Sequence, residues 1–421
     1  QLGSNTFSVS GVSFDRYVKF QFSSGDVSFN SLVHNGNNID LGTAGCPVSS
    51  TQDVTIAPSE DATFSYASTS YFQTDSDPTP TISGTTGGAF SSTTGLNIDV
   101  NTGIIDLSAS TTGTYSVSYI SSTGSCADTA TFSVTINVAK TYVPDDNFEA
   151  YLETHDANGS VVSVGDANSM GDGIANNDYV TTANISGVTN LDVGLQNIAA
   201  LTGIEDFTSL TVLMANGNQL TSLDISQNTL LSEIHCEINQ ISIIDFSNNI
   251  NLKFIGCDNN QISSLDLSQN TMLEILICGQ NGLSNLDLSN NSLLHELDCY
   301  GGLLTSLDLS QNPYLSTLLC HDNRLSTLDV STNSYLTTLV CRNNLLTSLD
   351  VRNGNNSNFG IFPSFPPTNM RTTSSYIPSF DFDATGNSNL NCISVDDATW
   401  ATANLTNIDA HTIFSDDCAS Y

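Results

Sequence analysis

The stretch Leu273-Glu-Ile-Leu276-Ile-Cys278-Gly-Gln-Asn281-Gly-Leu283-Ser-Asn-Leu286-Asp287-Leu288-Ser289 decides the fold, because its pattern returns every 21 residues. Cysteines stand at positions 236, 257, 278, 299, 320 and 341. Asp224, Asp245, Asp266, Asp287, Asp308, Asp329 and Asp350 keep the same spacing. So do Asn218, Asn239, Asn260, Asn281, Asn323 and Asn344, with Gly302 the one departure. A fixed period of this length means one coil of chain per repeat, each coil stacked on the last with strands ~4.8 Å apart. The Leu, Ile and Cys positions then point inward as ladders, and the Asn ladder satisfies backbone groups at a turn. Cys in such a row behaves as a small buried hydrophobe, since zinc ligands converge on a point rather than lie along a line. No coil buries its apolar edge alone, so both ends need caps; the sequence supplies them at 141–190 and 381–418.

Outside the repeats the chain changes character. Residues 1–140 alternate polar and β-favouring side chains, as in Tyr115-Ser-Val-Ser-Tyr119 and Thr131-Phe-Ser-Val-Thr-Ile136, broken by clusters such as Asp77-Pro-Thr-Pro80. Short alternating strands with frequent turns predict a β-sandwich over 46–140. Residues 1–45 hold further strands whose standing as a separate unit stays open. At Val143-Pro-Asp-Asp-Asn-Phe-Glu149 a helix is expected to begin, with Asp146 and Glu149 in capping-box spacing. After Arg352 the repeat breaks, and 353–421 comprises an aromatic, Pro-rich insertion (Phe359, Phe362, Phe365, Tyr376, Phe380) and the final cap.

Charge and cysteine usage bound the function. The 421 residues carry 43 acidic and 8 basic side chains, a net charge of -35. Such a surface repels nucleic acid and anionic lipid and attracts cations. No apolar run approaches the ~20 residues of a membrane span. Of ten cysteines, the four outside the repeats pair by position as Cys46–Cys126 and Cys392–Cys418, contributing about 4.5 and 3.5 kcal/mol by loop entropy. Disulfides place the protein in an oxidising, extracellular setting. No HExxH, GxSxG or Walker loop occurs, and His235 and His321 lie four coils apart, so no enzyme is expected.

The repeat consensus resembles the 21-residue bacterial leucine-rich repeats called the IRREKO class. Tyr142-Val-Pro-Asp-Asp-Asn-Phe-Glu149, Leu201-Thr-Gly-Ile-Glu-Asp-Phe207, and Cys392-Ile-Ser-Val-Asp-Asp397 through Phe414-Ser-Asp-Asp-Cys418 resemble the capping segments of secreted Bacteroidetes repeat proteins. Pro78-Thr-Pro-Thr-Ile-Ser-Gly-Thr-Thr-Gly-Gly88, Gly103-Ile-Ile-Asp-Leu-Ser-Ala-Ser110 and Gly113-Thr-Tyr-Ser-Val117 are similar to Ig-like repeats of Bacteroidetes surface adhesins. The resemblance implies an Ig-like domain before a capped leucine-rich-repeat solenoid, exported by the type IX secretion system and displayed at the cell surface. An opening Gln1 and a closing Tyr421 fit loss of both export signals on that expectation.

Three groups of residues are candidate sites. The strand positions beside the inward ladders should form an exposed recognition face that includes Phe254, Ile277, Tyr300, Leu319 and His321, extended by Phe362, Phe365 and Tyr376 of the insertion. Against it stands the reading of scattered surface apolars. The insertion's partner is either the solenoid's own end or an external ligand. Gly165 to Asp178 is a candidate calcium loop with Asp166, Asn168, Asp172 and Asp178 as oxygen donors, although it departs from EF-hand spacing; a polar Asx-rich turn is the alternative. The outward Asp ladder repels itself rung to rung, and Ser hydroxyls, backbone N–H groups or bound cations must compensate. The expected fold is mainly β, and the expected function is non-catalytic adhesion or recognition of a protein or glycan ligand. The rival functions are a self-associating filament subunit and an accessory binding region for a catalytic partner.

Overall fold

The computed structural model describes residues 60–121, 127–359 and 381–418, with the short antiparallel pair Leu32–His34 and Asn37–Ile39. The Cys46–Cys126 pairing and Phe362, Phe365 and Tyr376 lie outside the described residues. The chain divides into two compact units, Gln1–Val138 and Ala139–Tyr421.

The first unit is built on Gly113–Ile120, whose alternation sends Tyr115, Val117 and Tyr119 inward. This strand pairs antiparallel with Thr129–Asn137 on one side and Ala89–Ser92 on the other; Ser70–Phe72 joins the outer edge of Thr129–Asn137 in parallel. Two further strand pairs, Phe64–Ser65 with Thr81–Ile82 and Asn97–Ile98 with Ile105–Asp106, add Phe64 and Ile105 to the same core. At its centre the Phe90 and Tyr119 rings sit 4.6 Å apart and Phe64 meets Phe90 edge-on at 5.4 Å.

The second unit is a parallel β-solenoid of leucine-rich-repeat type. One long sheet runs its length: Asn190–Asp192, Val212–Met214, Glu233–His235, Phe254–Gly256, Ile275–Ile277, Glu296–Asp298, Thr317–Leu319, Thr338–Val340 and Phe382–Asp383. The register steps by one repeat at each rung, so Ile234 pairs with Ile255 and Ile255 with Leu276. Leu339 pairs with Phe382 and Val340 with Asp383, so the ladder continues past the break in the repeat. The middle residue of each strand points into one continuous apolar core, together with Cys236, Cys257, Cys278, Cys299, Cys320 and Cys341. These six cysteines are free and buried.

Buried polar groups at the turns hold coil to coil. Asn281 donates from Nδ2 to the carbonyls of Cys278 in its own coil (3.1 Å) and Cys257 in the previous one (2.9 Å), while its Oδ1 accepts the Ile262 N–H at 2.9 Å. Asn239, Asn260, Asn323 and Asn344 repeat this arrangement. A second asparagine ladder, Asn228, Asn249, Asn270, Asn291, Asn312 and Asn333, spans the opposite turn. Asn270 there donates to Phe246 O and Asn249 O at 3.2 and 3.0 Å. The residue before each asparagine of the first ladder, and before Gly302 in its place, turns the chain through the left-handed region. Gly217, Asn259, Gln280, Gly301, Asp322 and Asn343 have φ between 51° and 66°, and so does the β-branched Ile238, at a conformation such side chains rarely adopt.

Both ends are closed. The first helix, Asp146–Thr154, buries Phe148, Tyr151 and Leu152 against the first coil. Its N-cap is Asp145, one residue before the expected Asp146, because Asp145 also receives the Ala199 and Ala200 N–H groups from the first coil. Glu149 is thereby turned inward, where it accepts the Asn177 and Asp178 N–H groups at 2.9 and 3.2 Å. At the other end the helix Ala398–Asn404, capped by Asp397, and the disulfide Cys392–Cys418 (Cα–Cα 5.7 Å) finish the stack. Phe359, at the start of the insertion, packs edge-on against Phe382 at 5.3 Å, so the insertion begins by covering the solenoid's own core. Replacing Asn281 by Ala strands the Cys278 carbonyl and the Ile262 N–H in the interior, while the Cys257 carbonyl keeps Asn260. We expect Asn281→Ala to cost about 3 kcal/mol of stability, measurable as a lowered urea midpoint.

Candidate functional site

The long sheet has a second, outward face, formed by the first and third residues of each strand and by the residue after each inward cysteine. At one end Glu233, His235 and Glu237 form a charged triad. His235 Nε2 lies 2.7 Å from Glu233 Oε1, and Nδ1 lies 3.1 Å from Glu237 Oε1. Its ring stacks on Phe254 at 4.4 Å. Burial alone would lower the His235 pKa, but its hydrogen bonds to Glu233 and Glu237, with the charge of both carboxylates, outweigh burial and raise it to about 9. Beyond the triad, Phe254, Ile275 and Ile277 make a small apolar cluster separate from the main core. Asp258 and Asp298 follow. Burial raises Asp258 to about 6 and Asp298 to about 7. Further along, the half-buried Tyr300 stacks on His321 at 4.9 Å, and His321 Nδ1 lies 2.5 Å from Asp322 Oδ2.

This geometry corrects the expectation of an exposed face. Phe254, Ile277, Leu319 and His321 are all buried, and of the residues expected there only Tyr300 keeps substantial exposure. The reason is the rung spacing. At ~4.8 Å, outward side chains lie down along the sheet against the next rung instead of standing into solvent. Glycines make room for this: a Cβ on Gly256 would stand 2.0 Å from Glu237 Oε1, and one on Gly279 would lie 2.4 Å from the Tyr300 ring. The face is therefore a flat layer of fixed side chains.

The candidate calcium donors are not brought together as one carboxylate group. Asp166 Oδ1 accepts the Asn168 backbone N–H at 2.9 Å. Asp172 Oδ2 accepts from Lys140 Nζ at 2.7 Å and Asn177 Nδ2 at 2.9 Å. Asp178 instead joins Asp146 and Glu149, with one oxygen from each within 4.8 Å of the others. Asp166 and Asp172 belong to no such cluster among the described residues. The Asp ladder resolves locally. Asp224, Asp245, Asp266, Asp287, Asp308 and Asp329 each accept the N–H of the serine two residues on, at 2.8–3.0 Å. For the first five of these, hydrogen bonds from that serine hold the carboxyl below its ordinary value.

Two features escaped sequence reasoning. The buried polar residues of the face carry a signal that was available, since Asp298 interrupts a column that reads Ile277 before it and Leu319 after it. The other is a truly exposed apolar stripe at a single coil position: Leu230, Met272, Leu293, Tyr314 and Tyr335, each 40–54% exposed, with the two tyrosine rings 5.8 Å apart.

No protein-family model matches the chain, and no curated protein matches it. The solved structures it is similar to include leucine-rich-repeat proteins and internalins. The functional domain of InlJ from Listeria monocytogenes, described as including a cysteine ladder, is 22% identical, covering 66% of this chain and 70% of that one at a TM-score of 0.25. Internalin C2 of the same organism is 20% identical over 50% of this chain and 92% of that one, at a TM-score of 0.40. A leucine-rich-repeat protein of Leptospira interrogans is 21% identical over 54% of each chain, at a TM-score of 0.38.

The face makes stability depend on pH. Asp258 and Asp298, normally near 3.8, hold protons in the folded state up to about pH 6 and 7, so stability falls as pH rises from about 4 through 7. His235 adds stability that is full below its ordinary 6.5 and is lost as pH rises through about 9. His321, lowered by burial, works the other way only below its ordinary 6.5. The melting midpoint should therefore fall between pH 6.5 and 9, and Asp298→Asn should raise it at pH 8, as read by circular dichroism.

Proposed function

We propose that this chain is an extracellular, non-catalytic recognition protein that takes a protein ligand on the outward face of its long sheet. The observation that carries the proposal is the layer of charged and aromatic side chains fixed there, with His235, Asp258, Asp298 and His321 buried on a face that points away from the apolar core. Ionisable groups buried outside the core cost desolvation, and a layer already ordered loses little entropy when a partner binds. The Cys392–Cys418 disulfide supports an oxidising location. No helix among the described residues is long and apolar enough to cross a membrane. Finer expectations belong to the same proposal and rest on the motifs alone: an Ig-like N-terminal unit, IRREKO-class repeats, a Bacteroidetes source, type IX export and surface display. A glycan ligand and self-association are the rival outcomes.

The test is an array of purified extracellular proteins and glycans probed with the labelled full chain. A protein ligand should be retained, and Tyr300→Ala, which removes the half-buried aromatic of the face, should weaken it about thirtyfold. Unchanged affinity in Tyr300→Ala places the contact elsewhere. Electron microscopy of the same sample tells filaments from monomers.

Calcium enters this reading as a stabiliser of the N-terminal cap. Its donors shift from the expected set to Asp146, Glu149 and Asp178, the three carboxylates that converge. Millimolar calcium should raise the melting midpoint relative to EDTA at matched ionic strength, and Asp178→Asn should remove the difference. Equal midpoints in the parent chain leave calcium without a structural role.

A further inference from the structure

Acidic side chains are common in this protein, and nearly everywhere the fold answers them. The exposed Asp ladder receives serine N–H groups. Buried Glu153 receives the Asp172 and Gly173 N–H groups, and buried Glu149 those of Asn177 and Asp178. On the outward face two carboxylates are treated differently. Asp258 is 9% exposed and Asp298 2%. Asp258 Oδ2 accepts from the Asn259 side chain at 2.6 Å, and Asp298 accepts a single long bond, 3.4 Å, from the Tyr300 N–H.

The cations of the face are committed elsewhere. His235 is shared by Glu233 and Glu237; Lys253 lies 3.1 Å from Glu274, with His295 on the other oxygen of that carboxylate at 3.7 Å. Arg342 is placed between Asp322 and Asp383, and His321 beside Asp322. The charged groups felt by Asp258 and Asp298 are Glu237, Glu296 and, for Asp298, Asp258 itself, all of the same sign. A buried carboxylate with no counterion is among the costliest groups a fold can keep. This pair is kept in the middle of the face, flanked by the Phe254, Ile275 and Ile277 cluster and by the Tyr300 ring, which lies over Gly279 on the rung between them.

We infer that Asp258 and Asp298 receive a lysine or arginine side chain that a protein partner presents next to an apolar one. The inference rests on the sheet face being the recognition surface. The two residues stand two rungs apart, roughly 10 Å along the sheet, a span that one long cationic side chain laid along the face covers. The part of the half-buried Tyr300 ring that solvent reaches offers that head group an aromatic contact, and the Phe254–Ile277 cluster meets the neighbouring apolar side chain. A divalent metal is the weaker occupant, because calcium takes six to eight oxygens and no third acidic donor converges with this pair among the described residues. Charge complementarity also disfavours a second copy of this chain, which brings its own net charge of -35.

The experiment pans a displayed library of random twelve-residue peptides on the immobilised full chain at pH 8. The enriched peptide is then titrated by fluorescence anisotropy. The expected peptide carries Lys or Arg beside an apolar residue. Its affinity should fall at least tenfold in Asp258→Asn/Asp298→Asn and stay unchanged in Asp266→Asn/Asp287→Asn, which removes the same charge from the exposed ladder. On the parent chain it should weaken as pH drops from 8 to 5, an arm that needs no variant. Equal losses in the two double variants overturn the inference in favour of general attraction to an acidic chain. One calcium ion bound by the parent but not by Asp258→Asn/Asp298→Asn overturns it in favour of a metal site. Enriched peptides that lack Lys and Arg yet lose binding in Tyr300→Ala overturn it while leaving the face as the recognition surface. Peptides that depend on Tyr314 and Tyr335 instead, or no enrichment at all, overturn both.

Discussion

The solenoid depends on one constraint: every coil must turn twice inside the stack, and each turn buries backbone groups that water cannot reach. Asparagine meets it because a single side chain carries two N–H donors and an acceptor on a short stem. Asn281 and its equivalents use these to tie the cysteine carbonyls of two consecutive coils and the N–H of the coil before. The ladder only works if each coil presents the same atoms at the same height. That requirement keeps the period constant, here at 21 residues, and accompanies the left-handed residue before each asparagine. It also explains the cysteines, whose small apolar side chains fit beneath the asparagine turn where a leucine would crowd it. Their thiols are pushed up by burial and remain inert inside the core.

The same stacking shapes the outer surface. With rungs this close, outward side chains meet their neighbours before they meet solvent, and the face becomes an ordered layer rather than a fringe. A partner gains little by covering residues that are already buried, such as Phe254 or Leu319. It gains from groups left partly open, such as Tyr300, and from charges left without a counterion. The exposed stripe of Leu230, Met272, Leu293, Tyr314 and Tyr335 shows the opposite arrangement, with apolar side chains left open to solvent.

The large negative charge is distributed by three physical devices. Exposed aspartates are held by serine N–H groups two residues on, so their mutual repulsion is offset within each coil. Cap glutamates are folded inward and neutralised by pairs of backbone N–H groups, while Asp172 takes Lys140. On the sheet face Asp298 has only one long bond of this kind, 3.4 Å from the Tyr300 N–H, and burial outweighs it, pushing the pKa up to about 7.

The sequence by itself determined the repeat architecture, because a 21-residue period of Leu, Cys and Asn admits only stacked identical coils with those positions inside. It also determined the Cys392–Cys418 bridge at the closing cap and the absence of familiar catalytic motifs. The second asparagine ladder keeps the same period in the sequence, but each rung also reads locally as a polar turn, and only the stacked coils show its bonds to buried carbonyls. What only the tertiary structure decided was the state of the outward face. Exposure there depends on how far a side chain leans toward the next rung and whether that rung carries a glycine, as Gly256 and Gly279 do. The grouping of the cap carboxylates was likewise a tertiary matter, since Asp178 reaches Asp146 and Glu149 across the cap while Asp172 pairs with Lys140. Periodicity is a one-dimensional property that a chain displays openly. Burial of a surface side chain is set by neighbours 21 residues away, and it appears only when the coils are stacked.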